Sequence, residues 1–599
     1  MAMYKSGEAF IDVLNAHGVE RVFLNPGFEF IDILTNIALA RTDGSGRKAP
    51  QLVLCPDESV TASAAYGNYM VTGKPQVIMV HSELGSLQLG GNLQNLQWGR
   101  VPAVILTGYQ ESDLQRKLWN GAPYDQGSIV RNSVKYDRRL TGEEDIHEVL
   151  ADAFEIACTE PTGPVYLCFP MNYLYKDVEK PGTQKEAQKT QPLPAVDMEA
   201  LGKMADILLD AKNPLIVSGN AGRYKENVGA LVNLAETLGA SVITGYSWMN
   251  FPSSHPLCAG IEQIGGSRKM DAGYDEADVI LAVDYAMPYV GSAPRPKPGA
   301  KILHIDVDPL TQGRTLWGRG ADMFMKADAR EAIPALVGIL HEKVTLDIQA
   351  RIDERYSRLT AKYNKARAGW YEQARGQSGA EPVSPDYFFY CLNQAIDEDT
   401  IVVNHTLSHC ASVTEQIVRT RPGTWFGCPS GAIGWAPGAA LGAASATRGV
   451  SGMTEPESAV STASNDTGAS YDISDVFHEK TVVTIMSDGG FIWGCPTSTF
   501  WTSANYRFPF LAVVCNNGGY GAIRDPQRSM LGDREVSEGF TAESAVNFRP
   551  DYAVIAHGAG AYGRKVTRSA DVVQAINEAL DAVRSGRPAV LDVYFQGSK

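Results

Sequence analysis

Ten short, unbroken apolar runs separated by helix-length stretches constrain the fold of this chain more than any other feature. They are Leu52–Cys55, Val77–Val80, Ala103–Thr107, Val165–Phe169, Leu215–Ser218, Val279–Val283, Ile302–Val307, Val482–Met486, Leu511–Cys515 and Val590–Tyr594. Runs this short read as strands covered on both faces rather than as buried helices. Between them apolar residues recur at helical spacing: Ile146, Val149, Leu150, Ala153, Phe154 and Ala157 fall on one helix face. Strands alternating with helices build parallel sheets covered by helices on both sides. The expected class is α/β throughout.

Two breaks divide this pattern. Asp177–Val196 is rich in Lys, Gln, Pro and Thr, and residues 340–385 hold a charged helical stretch followed by a Gly-, Ser- and Pro-containing break at Gly376–Pro385. The expected domains are therefore 1–180, 195–345 and 385–599, each of ordinary size. Within the last block Gly449–Ser474 is dominated by Ser, Thr, Gly, Asn and Asp and reads as an exposed insertion.

The net charge of −15 argues against a nucleic-acid or anionic-membrane surface. No apolar run approaches the roughly 20 residues that span a bilayer, and the N-terminus has no signal-peptide pattern. The nine cysteines form no Cys-x-x-Cys pair, as expected of reduced thiols in a cytoplasmic protein.

Three motif matches are set aside. Gly558-Ala-Gly560-Ala-Tyr-Gly563 follows a helical pattern and precedes a strand-like one, the reverse of a dinucleotide turn. Gly67 to Gly73-Lys74-Pro75 has the wrong spacing for a phosphate loop, with Pro75 in place of the hydroxyl. His405 and His409 could share a helix face but lack a third metal ligand.

Two polar clusters carry more. Ser487-Asp488-Gly489-Gly490 follows the run Val482–Met486, and Asn516-Asn517-Gly518-Gly519-Tyr520-Gly521 follows Leu511–Cys515. Both sit where parallel α/β sheets bind ligands, at the C-terminal strand ends. An Asp carboxylate, an Asn amide oxygen and the Gly519 carbonyl suit a hard cation such as Mg²⁺, completed by water and phosphate oxygens. The glycines and a following helix N-terminus favour a bound phosphate. Either cluster alone is ordinary turn chemistry.

Together, an Asp-Gly pair and an Asn-Asn pair some 25 residues apart resemble the cofactor signature of thiamine diphosphate enzymes, with Ser487 in place of the usual first glycine. The resemblance spans nearly the whole chain and is nearest to the benzoylformate decarboxylase branch. It rests on Val22-Phe-Leu-Asn25-Pro26-Gly27, His81-Ser82, Asn404–Ser408, Cys428–Trp435 and Asn516–Arg524. It implies a pyrimidine-binding domain, a middle domain and a diphosphate-binding domain, with thiamine diphosphate and Mg²⁺ held between two chains of a dimer or tetramer.

Glu58, which opens a helix in Cys55-Pro-Asp-Glu58, could by itself merely stabilise that helix N-terminus. The resemblance makes it the catalytic glutamate that hydrogen-bonds the cofactor's aminopyrimidine and promotes formation of the ylid, which attacks a 2-oxo carbon. It also implies that His81 relays protons, that Gly431 and Ile433 support the bent cofactor, and that Asn25, Pro26, Gly27, Asn404, Ser408, Asp488, Gly489, Gly490, Asn517 and Tyr520 contact it. Asp488, Asn517 and Gly519 are the expected Mg²⁺ ligands.

The sequence departs from the branch at several places. Phe28 replaces a substrate-facing serine, no second active-site histidine appears near Tyr289-Val290, and Glu83 places an acid next to His81. Glu83 is a further catalytic candidate, and Gln88 and Gln126 are candidates for the pocket wall. Some relatives carry a flavin on the middle domain; none is expected here. The expected activity is non-oxidative decarboxylation of a small, perhaps aromatic, 2-oxo acid through an enamine. The alternatives are acetolactate synthase-like carboligation or C–C cleavage of another donor, and a non-catalytic binding relative.

Overall fold

The computed structural model describes residues 3–42, 47–110, 125–180, 195–261, 273–285, 296–309, 321–448, 480–532 and 550–595. The expected insertion at 449–474 and the Tyr289-Val290 region lie outside them.

All ten apolar runs are strands, and they belong to three six-stranded parallel sheets. The N-terminal sheet runs, edge to edge, Gln51–Leu54, Arg21–Asn25, Gln76–Val80, Ala103–Tyr109, Val165–Pro170 and Tyr136–Arg139. The C-terminal sheet runs Trp425–Gly427, Ile401–His405, Val482–Ser487, Leu511–Asn516, Ala589–Tyr594 and Tyr562–Val566. Numbered within their own domains, both follow the order 2-1-3-4-6-5. The middle sheet, from Cys258–Ile261 through Ser241–Thr244, Pro214–Ser218, Val279–Val283 and Lys301–Asp306 to Met323–Lys326, follows 3-2-1-4-5-6. That is the order of a doubly wound nucleotide-binding sheet. A helix of 31 residues, Leu346–Gly376, leads from the middle domain to the last one.

The two outer domains meet through helices made of small residues. Glu58–Thr72 is buried on nearly every side and packs along Trp435–Ala446, whose sequence is WAPGAALGAASA. A methyl group on Gly67 would overlap the Ala439 carbonyl oxygen, and one on Gly442 would overlap that of Ala64. Asn68 adds a 3.0 Å hydrogen bond to Ser445 across the contact. In an isolated helix Gly→Ala stabilises by about 1 kcal/mol. At Gly442 the backbone clash reverses the sign. Gly442→Ala is expected to destabilise by about 1–3 kcal/mol, read as a lower midpoint in thermal or denaturant unfolding.

Gly558–Gly563 joins the helix Tyr552–Gly558 to the edge strand Tyr562–Val566, in the helix-then-strand order that no dinucleotide turn has. His405 and His409 point apart, the first edge-on to Trp435 at 6.2 Å and the second to Phe595 at 5.1 Å. No helix among the described residues is long and apolar enough to cross a membrane.

Candidate active site

The residues singled out by sequence fall into two groups, one at the strand ends of each outer sheet. In the N-terminal group, Asn25 ends its strand opposite Val80 of the neighbouring one, so Asn25 and His81 emerge side by side. Glu58 opens its helix beside them, behind the N-cap Asp57, whose carboxylate accepts from the Ser59 and Val60 N–H groups at 2.9 and 3.2 Å. Glu58 is buried, and its carboxylate is hydrogen-bonded by Asn25. Burial pushes the Glu58 carboxyl above the ordinary glutamate value, although Asn25 and the nearby His81 pull the other way. Gly85 leaves the room: a Cβ there would stand 3.0 Å from Glu58 Oε1.

The acid on His81 is Glu29, which sequence reasoning missed, rather than Glu83. Both Glu29 carboxylate oxygens lie 3.0 Å from His81 Nδ1, and one accepts the Ser82 N–H at 2.9 Å. The Glu29 side chain is only 3% exposed, whereas 35% of the imidazole remains accessible. A buried carboxylate at Nδ1 keeps the proton there and leaves Nε2 to face outward. The arrangement is tight. Ser82 adopts the left-handed φ of 28°, a conformation that costs energy in a non-glycine residue. A methyl on Gly27 would overlap both His81 and Glu29, and one on Gly108 would overlap Glu29.

The other N-terminal candidates are placed differently. Phe28 is 61% exposed beside His81, with ring centroids 6.4 Å apart. Glu83 is half-buried and Gln88 exposed on the helix Ser82–Gln88. Gln126 is buried, with its Nε2 donating to Thr107, Gly108 and Tyr166. It braces the strand behind Glu29 and does not face the opening.

In the C-terminal group, an open cleft of about 440 Å³ is lined by Ser408, Ile433, Asp488, Gly489, Asn517, Gly519 and Tyr520, together with neighbouring loop residues. Strand alternation sends Asn516 and Asn517 opposite ways. Asn516 bonds Asp592 inside the sheet at 2.8 Å, where burial raises the Asp592 carboxyl to about 6. Asn517 faces the cleft, and its buried Oδ1 has no hydrogen-bond partner among the described residues. Gly521 lets Ser408 and Asn517 converge, since a Cβ there would stand 2.6 and 2.8 Å from their side chains. Asn404, Gly431 and Gly490 do not line the cleft. Asn404 Oδ1 accepts from the Thr406 N–H and hydroxyl, which shapes the loop carrying Ser408. Gly490 donates its N–H to the Ser487 cap. Gly431 is a left-handed turn residue in a loop tied to the N-terminal domain, where Asn95 Oδ1 accepts from the Ser430 N–H at 3.3 Å. That loop exposes Ile433 at the cleft.

A buried carboxylate, an unpartnered amide oxygen and a glycine turn followed by the helix Gly521–Leu531 suit a hard cation with a diphosphate. Sequence models for thiamine pyrophosphate enzymes match all three domains. The N-terminal TPP binding domain matches residues 4–129, the central domain residues 201–336 and the C-terminal TPP binding domain residues 408–593. The chain belongs to the thiamine pyrophosphate (thiamine diphosphate) enzyme family. It is 23% identical to a benzoylformate decarboxylase of Pseudomonas aeruginosa, covering 98% of both chains. It is 24% identical to an acetolactate synthase large subunit of Corynebacterium glutamicum, covering 90% of this chain and 80% of that one. Its fold superposes on a 4-hydroxybenzoylformate decarboxylase of Rhodococcus jostii with a TM-score of 0.77, at 21% identity over 99% of this chain and 100% of that one. The chain is thus a thiamine diphosphate-dependent enzyme of the decarboxylase and acetolactate synthase family.

Proposed function

We propose that the enzyme decarboxylates a small 2-oxo acid non-oxidatively, with Mg²⁺ and thiamine diphosphate, and releases an aldehyde. The observation that carries this reading is the His81–Glu29 pair, a proton carrier with an accessible face next to the buried Glu58. Thiamine diphosphate, when bound, supplies a carbon nucleophile and an electron sink for the bond beside the carbonyl. Glu58 would hold the aminopyrimidine ring and exchange a proton with its nitrogen. Asp488, Asn517 and the Gly519 carbonyl would hold Mg²⁺ against the diphosphate, and Ser408 would bond a phosphate oxygen. Ile433 and Tyr520 would flank the rings, while Asn25 orients Glu58 and Gly27 leaves space for His81. His81 Nε2 would deliver the proton that completes the aldehyde, and Glu83 stands at the rim as a further candidate.

Carboligation is the second reading. It is favoured by the exposed apolar Phe28 beside His81 and the exposed Leu84 on the following helix, an apolar surface for a second carbonyl compound. The carbon product separates the two. One aldehyde per CO₂ supports decarboxylation; a 2-hydroxy ketone or acetohydroxy acid in its place would overturn it.

The diphosphate cleft includes neither Glu58 nor His81 in its lining, which supports a site completed by a second copy of the chain. Glu58→Gln and Asp488→Ala, each inactive alone, are then expected to restore activity when co-expressed. Random pairing would leave one intact site in half of the dimers, about a quarter of the wild-type activity. No recovery from mixed oligomers would place both halves of each site in one chain.

A further inference from the structure

The middle sheet has the strand order of a nucleotide-binding domain. Ligands of such sheets bind where the order reverses, here between Pro214–Ser218 and Val279–Val283. At such strand ends backbone N–H groups or a cation suit a diphosphate, and a carboxylate, most often at the second strand, suits the ribose hydroxyls. In this crevice two charged groups stand at the strand ends, Arg223 in the turn after the first strand and Asp306 at the end of the fifth. Both are buried and already paired. Arg100 of the N-terminal domain donates one guanidinium nitrogen to both Asp306 oxygens, at 2.8 and 3.1 Å. Glu160 of the same domain accepts from Arg223 at 2.5 Å and from Tyr224 at 2.6 Å. Asp284, at the end of the fourth strand, lies between the arginines at 3.7 and 3.9 Å.

We propose that the N-terminal domain occupies the nucleotide crevice of the middle domain. Arg100 and Glu160 pair with the carboxylate and the cation that the crevice would offer a dinucleotide, and the crevice is an interdomain clasp that binds neither flavin nor adenine nucleotide.

The cluster is built for this. The side chains of Arg223, Asp284 and Asp306 are at most 2% exposed, and that of Arg100 is 12% exposed. Arg100 and Asp284 both hold left-handed backbone conformations, at φ 53° and 46°, which the surrounding contacts must enforce. Gly219 lets the first strand's turn close over the fourth, since a Cβ there would stand 2.7 Å from the Asp284 carbonyl oxygen. Burial pushes Glu160 up, but Arg223, Tyr224 and Arg100 hold it at about 2, so it stays ionised as a clasp partner. Removing one member would strand a buried charge.

Two measurements test the clasp. The holoenzyme is titrated with FAD and, separately, with ADP to about 1 mM, the weak end of ordinary cofactor affinity. No saturable binding is expected, and saturable binding of either overturns the proposal. Thermal unfolding of Arg100→Ala, Asp306→Ala and the double variant then reads the coupling. Each single variant should melt below the wild type and the double variant no lower than the worse single, whereas a fall equal to the sum of the two would show no clasp. The titration uses the native chain, so it decides even where a variant fails to fold.

Discussion

Glu58→Gln is expected to lower kcat by about 10²–10⁴-fold, the range lost with a positioned acid–base group, while the protein stays folded and still binds thiamine diphosphate. The substitution keeps the size and hydrogen-bonding shape of a buried side chain that Asn25 already contacts. It also leaves the helix start intact, because Asp57 and not Glu58 caps it. What it removes is the capacity to exchange a proton. Burial raises the Glu58 carboxyl above the ordinary glutamate value, which brings it closer to the pH at which such exchange is efficient. Turnover, cofactor binding by fluorescence quenching and the melting temperature should therefore separate, with only the first falling. Turnover within a few-fold of wild type would remove Glu58 from the chemistry.

Glu29→Gln should reduce kcat by about tenfold or more, the lower part of the range for general acid–base groups, with KM little changed. The isosteric amide can still accept from Nδ1, but it no longer enforces the proton there or offers a charge to the imidazole as it gains a second proton. A role in packing alone would instead show as a lower melting temperature with kcat unchanged. The readout is thus the split between kcat and KM beside the melting temperature, with kcat alone falling in the variant. Gly27→Ala, which drives a methyl group into the same pair, should reproduce the loss.

The three-sheet α/β architecture was legible because buried parallel strands are written as unbroken apolar runs. Three of the eight unread strands in these sheets are informative. Tyr136–Arg139 and Tyr562–Val566 are edge strands, and exposure on one side lets them carry runs of Arg and Lys that break the apolar pattern. Trp425–Gly427, another edge strand, spans only three residues, too short to show a pattern. The Asp488 and Asn517 turns were readable because backbone chemistry at strand ends demands those residue types. Glu29 was not. It sits in a three-residue helical turn between two phenylalanines, where local sequence does not tell a buried acid from an exposed one. The available sign was Gly108, a glycine inside an otherwise apolar strand, which marks close approach by another group; Glu29 is that group. Asn404 uses its Oδ1 on the turn that presents Ser408, while its buried Nδ2 has no hydrogen-bond partner among the described residues. A motif identifies the loop, but hydrogen-bond bookkeeping within it decides which member reaches the ligand.

The most direct measurement is CO₂ release from a panel of aliphatic and aromatic 2-oxo acids by protein stripped with a chelator and then reconstituted. The prediction is release from at least one acid that requires thiamine diphosphate and Mg²⁺ together and disappears in Glu58→Gln. No CO₂ from any acid, with thiamine diphosphate demonstrably bound, would contradict it.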